Sequence, residues 1–236
     1  MVKFELSISF CYFVAMYCIA HAHDPYLRGV YIGMGETGRI LNQILQNYDP
    51  YVRPEPLGGG PTDMEIWIRV IELTWRHDDL YFKGSFNRRW VDNRLKFEPR
   101  PGGREDITLD ASEFQQLIWQ PDLVFMTHYS HNVMGRGLIT IHHNGTIHHK
   151  NLDTAVINFK KSTNEQRSFK VVFTAADFGN DKNDVTYHCP SEGCILKQDD
   201  PCKVEVKTVE YSTRIKMIAD REHEVVNITM TLTREI

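Results

Sequence analysis

WVDNRLKF, residues 90–97, and IWQPD, residues 118–122, are the two stretches that decide the fold. Each places a tryptophan close before an aspartate, and a loop containing glycine and proline separates the two stretches. The residues from Leu80 to Trp90 mix apolar and polar side chains in the manner of a half-buried β-strand. Asp92 is placed to pair with Arg94 or with a backbone N–H, and Pro121 removes a donor where a strand ends. These residues indicate a corner of a β-sandwich.

Composition excludes one function class. The chain has 236 residues, of which 42% are hydrophobic and 25% are charged, so it can bury a sizeable core. Its formal net charge is −4, which provides no basic footprint for nucleic acid.

The first residues are typical of an export signal. Lys3 precedes an apolar run from Leu6 to Ala20, and small residues follow at 20–22. We expect a cleaved signal peptide at 1–22 and an exported domain at 23–236. The run is short for a membrane span, and no later stretch has the length and apolarity of one. The sequence therefore predicts a secreted or extracellular piece.

Periodicity predicts one helix followed by strands. From Glu36 to Asn47, residues 40, 41, 44 and 45 form one apolar face, with Thr37 as the expected cap. Residues 64–70 alternate with a period of two, as do the residues around Phe169–Phe173 and Val226–Leu232. Asn144-Gly145 is a strong hairpin signal. We expect an all-β, Ig-like β-sandwich of about ten strands with an N-terminal α-helix.

The two opening motifs closely resemble those of the Cys-loop receptors, the pentameric ligand-gated ion channels, in their extracellular ligand-binding domain. That family carries Trp-x-Asp-x-x-Leu followed by Ile-Trp-x-Pro-Asp. Residues 47–54 and 58–61 resemble its opening segment, and residues 177–185 resemble its Asp-Asp-Val segment. Arg234 stands where the family has a basic residue before its first membrane helix. The resemblance covers residues 36–234.

The resemblance implies identical subunits in a ring of five, with a small molecule bound at each subunit interface. The membrane would be reached through a channel domain absent from this chain. A naturally soluble, secreted pentameric binding protein, similar to the acetylcholine-binding proteins, is the alternative. An enzyme would need a nucleophile–base pair or a filled metal shell, and no spacing here proposes one. We therefore expect no catalytic residues and no cofactor.

The signature disulfide of the family is not expected in this chain. Counting from neighbouring motifs places its cysteines at Val171 and at Ile157 or Phe159, none of which is cysteine. Cys189, Cys194 and Cys202 cluster later, and in an exported protein one disulfide among them is expected, with the pair left open. A zinc site of these cysteines with His188 is the weaker alternative.

Carrying over the binding loops residue by residue gives an aromatic box with few rings. On one side of the interface the positions are Met126, Phe178, Tyr211, Ile218 and His223. On the neighbouring face they are Ser85, Thr140, His148 and Lys150. Because Phe178 is the clearest remaining ring, we expect a mixed apolar and polar cleft that binds amine agonists weakly.

The histidines around the hairpin raise a metal hypothesis. If the turn has two residues, His143 pairs with Thr146, so His142 and His149 share one face and His143 and His148 share the other. Two ligands make an incomplete zinc site, and we expect none. Asn144 and Asn227 each open an Asn-x-Thr glycosylation sequon.

Overall fold

The computed structural model describes residues 35–76, 79–114, 116–127, 133–158, 168–197, 204–218 and 220–233. The expected signal peptide at 1–22, Cys202 and Arg234 lie outside this range. The chain divides into two compact units between Gln46 and Asn47. Helix α1 belongs to the first unit and every described strand belongs to the second.

Helix α1 runs from Glu36 to Leu45, and the predicted apolar face is confirmed because Ile40, Leu41 and Ile44 are buried. The predicted cap at Thr37 is wrong. Gly35 occupies the cap position without a side-chain hydrogen bond, since Glu36 is already helical. The helix also ends before the predicted Asn47, whose φ of 86° places it in the left-handed region that helices cannot continue.

Eleven strands form a β-sandwich in the described part of the chain, close to the predicted ten. A seven-stranded sheet has the order β3-β5-β6-β2-β1-β8, with β9 also paired to β1. A four-stranded sheet has the order β10-β11-β7-β4. The strands are β1 Thr62–Arg76, β2 Asp79–Val91, β3 Asp106–Asp110, β4 Leu123–Thr127, β5 Val133–His142, β6 Thr146–Asn158, β7 Ser168–Asp177, β8 Val185–His188, β9 Ile195–Lys197, β10 Glu205–Ile218 and β11 Arg221–Thr233.

Aromatic side chains from both sheets join in the core. Phe82 of β2 lies 5.2 Å from Phe173 of β7, measured between ring centroids, and both side chains are at most 1% exposed. Trp90 and Trp119, the tryptophans of the two opening motifs, meet edge to face at 6.1 Å. Each fully buried side chain of this size contributes about 1.5–3 kcal/mol to stability.

Asp92 pairs with Arg94, as predicted, and it does so from a fully buried position. Its carboxylate accepts hydrogen bonds from the Arg94 backbone N–H at 3.0 Å and from Nη2 of Arg94 at 2.7 Å. It also accepts from the hydroxyl of Tyr48 at 2.7 Å, and that hydroxyl accepts from the backbone N–H of Trp119 at 3.0 Å. Burial, followed by the charge of Asp92, raises the pKa of Tyr48 above its ordinary value. One phenol therefore connects both motifs.

The predicted hairpin exists between β5 and β6, but its predicted register is wrong. Ile141 pairs with Ile147 and Thr140 with His148, a shift of one residue from the expected pairing of His143 with Thr146. The reason is the turn, in which Gly145 has a φ of 85° and donates to the carbonyl of His142. This geometry is a three-residue loop that ends in a left-handed glycine.

The register shift separates the histidine pairs that the sequence predicted. His149 lies on the buried face with Ile139, its direct partner, and is 3% exposed. His142 lies two residues from Thr140, so it shares the opposite face with His148. The pairs His142–His149 and His143–His148 do not form.

Candidate functional site

The candidate site residues fall into two sets within one protomer. We call the first the principal set, which comprises Met126, Phe178, Tyr211, Ile218 and His223 and belongs to the four-stranded sheet or its connections. The second, the complementary set, lies on the seven-stranded sheet and comprises Ser85, Thr140, His148 and Lys150. Met126 lies in β4 and its backbone pairs with Thr174 of β7, although its side chain lies outside the described residues.

Phe178 presents its ring to solvent at the turn after β7. Its side chain is 45% exposed, so it is not a core residue. The turn is shaped by the buried carboxylate of Asp177, which accepts from the backbone N–H groups of Gly179 at 2.9 Å and Asn180 at 3.0 Å. The backbone N–H of Phe178 donates to the carbonyl of Asp122 at 3.2 Å. The ring therefore projects from a backbone held on both sides.

A chain of hydrogen bonds ties the β10–β11 hairpin to the same aspartate. Tyr187 donates its hydroxyl hydrogen to Asp177 at 2.5 Å, and Tyr211 donates to the carbonyl of Tyr187 at 2.7 Å. Burial, followed by the charge of Glu224, raises the pKa of Tyr211 to about 12. His223 is 3% exposed and its Nδ1 lies 2.9 Å from the carbonyl of Asp177. His223 is therefore a buried residue that contacts the backbone of the Phe178 turn. Tyr211, by contrast, is 36% exposed and is accessible to a ligand.

Strand β10 carries a row of exposed apolar side chains. Ile218 pairs with Arg221 at the tip of the hairpin, where Asp220 has a φ of 63°. β10 is the terminal strand of its sheet in the described part of the chain. At every second or fourth position it presents Val209, Tyr211, Ile215 and Met217, which are 41%, 36%, 52% and 59% exposed. We call this row the β10 edge.

The complementary set shares one face of the seven-stranded sheet. One row of directly paired residues crosses five strands as Glu65, Arg89, His148, Thr140 and Thr108. The next row crosses the same strands as Trp67, Asn87, Lys150, Leu138 and Asp110. Because directly paired residues point to the same side of a sheet, both rows lie on one surface. We call it the complementary face.

Ser85 and Thr140 differ in how far their side chains are exposed on the complementary face. Ser85 is fully buried, and its Oγ accepts from Nδ2 of Asn87 at 3.1 Å. Thr140 is partly exposed and its hydroxyl lies 2.9 Å from that of Thr108. Ser85 is therefore a support for Asn87.

Trp67 is a residue that the sequence reasoning missed. It stacks on the ring of His148 with centroids 5.1 Å apart, and the guanidinium carbon of Arg89 lies 5.5 Å above it. Trp67 is 7% exposed although it occupies the polar phase of the alternation in β1. A tryptophan among the charged positions of a strand was the available signal.

Positive charge surrounds His148. Burial, followed by the charges of Arg89, His142, Lys150 and Arg69, lowers the pKa of His148 to about 4. The imidazole is therefore neutral at physiological pH, and its Nε2 lies 3.1 Å from Oδ1 of Asn87. Glu65 forms an ion pair with Arg89. Arg69 is exposed and Lys150 is partly exposed on the complementary face. The charged groups of these two side chains are therefore accessible to a ligand.

A cleft of about 520 Å³ lies at the end of this face where β1 begins. Asp63, Glu65, Arg89 and His188 are among its charged or titratable lining residues. Nδ1 of His188 lies 2.9 Å from Asp63, and its Nε2 lies 3.6 Å from Glu65. With both ring nitrogens facing carboxylates, the imidazole bridges two side chains.

One disulfide was expected among the three later cysteines with its pair left open, and the structure forms it between Cys189 and Cys194. The zinc alternative for these cysteines with His188 is thereby wrong for this pair, because a disulfide sulfur is not a thiolate ligand. Across the described residues, no group of three or more histidine, cysteine, aspartate or glutamate side chains is arranged to hold a metal ion.

The two glycosylation sequons differ in exposure. Asn144 is exposed on the β5–β6 turn, where its Oδ1 accepts from the backbone N–H of Thr146 at 2.9 Å. Asn227 lies within β11, and its Oδ1 accepts from the hydroxyl of Thr174 at 3.0 Å.

Comparison with known proteins identifies residues 37–155 as a match to the family model described as neurotransmitter-gated ion-channel ligand binding domain. The chain is 32% identical over 99 residues to glycine receptor subunit beta of Rattus norvegicus, covering 41% of this chain and 20% of that subunit. It is 29% identical over 120 residues to a glutamate-gated chloride channel of Drosophila melanogaster, covering 46% and 26%. Acetylcholine receptor subunit gamma of Bos taurus is 25% identical over 96 residues, covering 39% and 18%.

The chain thus spans about a fifth to a quarter of the length of these relatives. Among the described residues, none of the helices has the length and apolarity needed to span a membrane.

Proposed function

This chain belongs to the family of neurotransmitter-gated ion-channel ligand-binding domains, and from that premise we propose that it is the extracellular domain of a subunit of a pentameric ligand-gated ion channel. Its signal peptide, residues 1–22, is removed on export. Five identical subunits close into a ring through heterologous contacts, in which the principal set of one subunit faces the complementary face of the next. A small molecule binds in each seam.

The distribution of the two sets supports binding in the seam. Phe178, at the turn after β7, and Tyr211 of β10 are exposed at the four-stranded sheet, and Thr140, His148 and Lys150 lie on the other sheet. A heterologous contact would bring the two sets together. The exposed β10 edge adds apolar surface next to the principal set, as expected of a surface that is covered on assembly.

The ligand that best fits this seam carries an anionic group, such as a carboxylate. The observation that supports this is the set of cations around the Trp67–His148 stack, namely Arg69, Arg89 and Lys150. Arg89 is paired with Glu65, whereas Arg69 and Lys150 form no ion pair with any residue that the structure describes. Charge-assisted hydrogen bonds to arginine and lysine are the strong contacts for a carboxylate. A quaternary ammonium would need a box of aromatic faces and would meet like charge here.

A ligand screen on the secreted, processed protein tests the proposal. Glutamate, glycine, 4-aminobutyrate and acetylcholine are compared by thermal shift, because a ligand that binds only the folded state raises the melting temperature. We expect the carboxylate compounds to stabilise the protein and acetylcholine to have little effect. Arg69→Gln and Lys150→Gln should each weaken carboxylate binding about tenfold or more, which corresponds to the loss of one charge-assisted hydrogen bond.

Lys170→Gln is the matched control, since Lys170 is exposed on β7 in the other sheet. Light-scattering mass in the same buffer should be about five times that of the protomer. Protomers that remain single with bound compound, or a compound held in the cleft of Asp63 and His188, would overturn the seam model.

A further inference from the structure

Arg88 is a buried cation between the two sheets. It lies on β2, and its side chain points to the core side of the sheet, opposite to that of Arg89. The residue is only 9% exposed. Burying a guanidinium costs free energy unless the group forms hydrogen bonds. The hydrogen-bond partners of Arg88 therefore indicate its structural role.

The partners of Arg88 are concentrated on the segment that begins β4. Nη1 of Arg88 donates to the carbonyl of Pro121 at 3.3 Å and approaches that of Leu123 at 3.5 Å. The carbonyl between them, that of Asp122, accepts from the backbone N–H of Phe178. Successive carbonyls of an extended segment point in opposite directions. Arg88 therefore contacts the carbonyls on one side of residues 121–123, and the backbone of Phe178 is hydrogen-bonded to the carbonyl on the other side.

A second partner orients the guanidinium. Nε of Arg88 donates to Nδ1 of His149 on β6 at 3.0 Å, so this ring nitrogen must be unprotonated. His149 belongs to the same sheet as Arg88 and directly opposes it in the register. The pair aims Nη1 away from its own sheet and toward the carbonyls of the other sheet.

We propose that Arg88 is the positioning residue of the principal half of the ligand site: by binding the carbonyls of Pro121 and Leu123 from inside the sandwich, it sets the position of Asp122 and, through the Asp122 carbonyl, that of Phe178. The ligand-binding part of this inference rests on the proposed function. The positioning part concerns only the protomer and is measurable without a ligand.

Backbone hydrogen exchange of the full secreted chain measures the positioning directly. In Arg88→Met, the amide of Phe178 and the amides of 177–180 should exchange about tenfold faster or more, because the carbonyl segment loses a charge-assisted contact. The amide of Ile68 in β1, which donates to the carbonyl of Cys194 just before β9, reports the rest of the sandwich. After each rate is divided by that of Ile68, the excess at Phe178 should persist.

Arg76→Met is the matched control, because the guanidinium of Arg76 stacks on Tyr81 at 4.4 Å and the residue is exposed at the end of β1. It should leave the normalised rate of Phe178 unchanged. If Arg88→Met does not fold, Arg88→Gln is the second variant: it removes the charge and shortens the side chain but keeps a polar group in the buried site, so the excess at Phe178 should remain. Arg88→Lys keeps a charged donor and should show a smaller excess than either. Uniform acceleration of all amides, or none at Phe178, would show that Arg88 only stabilises the core.

A spectroscopic signature tests the contact itself. In the wild type, the ¹⁵N chemical shift of His149 Nδ1 should be that of an unprotonated acceptor in a neutral ring, and in Arg88→Met it should move. If the screened carboxylates bind, Arg88→Met should weaken their affinity about tenfold under conditions where the variant is folded. Absence of any ligand overturns the proposed function alone, whereas unchanged exchange at Phe178 overturns the role of Arg88 alone.

Discussion

Nδ1 of His149 accepts a hydrogen bond from Nε of Arg88 at 3.0 Å, so a buried imidazole directly contacts a permanent cation. Burial, followed by the charge of Arg88, lowers the pKa of His149 to about 3. Burial also lowers the pKa of Arg88 to about 10, which leaves the guanidinium charged at physiological pH. The pair remains compatible only while the imidazole is neutral.

The first prediction follows from this contact and concerns pH. An unfolded histidine has a pKa of about 6.5, so between pH of about 6.5 and 3 the unfolded chain binds a proton that the folded chain excludes. The contribution of His149 is fully present above about pH 6.5 and is lost as the pH falls, by about 1.4 kcal/mol per pH unit at most. Urea unfolding between pH 7.5 and 5 measures this slope.

The variant His149→Gln should have a shallower slope than the wild type, even though it is less stable at neutral pH. His143 is exposed in the adjacent turn, so His143→Gln should retain the wild-type slope. Identical slopes in all three proteins would contradict the assignment. His148, with a pKa of about 4, adds to the same acid sensitivity.

The second prediction concerns the buried carboxylate of Asp92. Asp92→Asn should lower the free energy of unfolding by about 3 kcal/mol, because it removes the charge that Arg94 and Tyr48 were arranged to meet. Chemical denaturation is the measurement. Asp106→Asn is the control, since that carboxylate is 54% exposed and lies 4.0 Å from His142; its effect should stay within about 0.5 kcal/mol. Equal effects would refute the central role of Asp92.

The third prediction concerns Phe178 and amine ligands. Acetylcholine should bind at best in the millimolar range, since Phe178 and Tyr211, the two exposed rings of the principal set, are too few to form a cage around a quaternary ammonium. Calorimetry with wild type and Phe178→Ala measures this. Tight binding of acetylcholine that disappears in Phe178→Ala would refute the choice of an anionic ligand.

The fourth prediction concerns the cysteines. Removing the Cys189–Cys194 disulfide with the double serine variant should cost about 2 kcal/mol, the entropy of a closed loop of this length. Peptide mapping without reduction should show the two cysteines linked to each other. Cys202→Ser is the control and should leave that linkage and the stability unchanged. A map that links Cys202 to either cysteine would contradict the observed pair.

The fifth prediction concerns glycosylation. Protein secreted from eukaryotic cells should carry a glycan on Asn144, which is exposed at a turn, and none on Asn227, whose amide is bonded to Thr174 within a strand. Mass spectrometry of tryptic glycopeptides checks both sites. Thr146→Val should remove the glycan, and Thr229→Val should not. A glycan on Asn227 would show that β11 is open to the glycosylation machinery.

The sequence predicted the sandwich, the amphipathic helix and the Asp92–Arg94 pair because each depends on local spacing or on a motif. The hairpin register could not be read from Asn144-Gly145, since the same dipeptide fits a two-residue turn and the observed three-residue loop. This difference of one residue in the length of the turn decides which histidine shares a face with His149. Trp67 and Arg88 were missed for a related reason: each stands in a phase of its strand where the opposite polarity is usual, and only cross-strand partners explain it.

The alternation of β2 has a consequence for any ring that this chain forms. In the proposed ring, Asn87 and Arg89 would lie on the face that meets one neighbouring subunit. Arg88 between them contacts the carbonyl of Pro121 in the segment attached to Phe178, which would meet the other neighbour. A displacement of β2 by the first neighbour would move Arg88, and through Arg88 it would shift the segment that faces the second neighbour. Ligand bound in one seam of the ring would then change the affinity of the next seam. The binding curve would be cooperative, and no additional structural element would be needed to couple the sites.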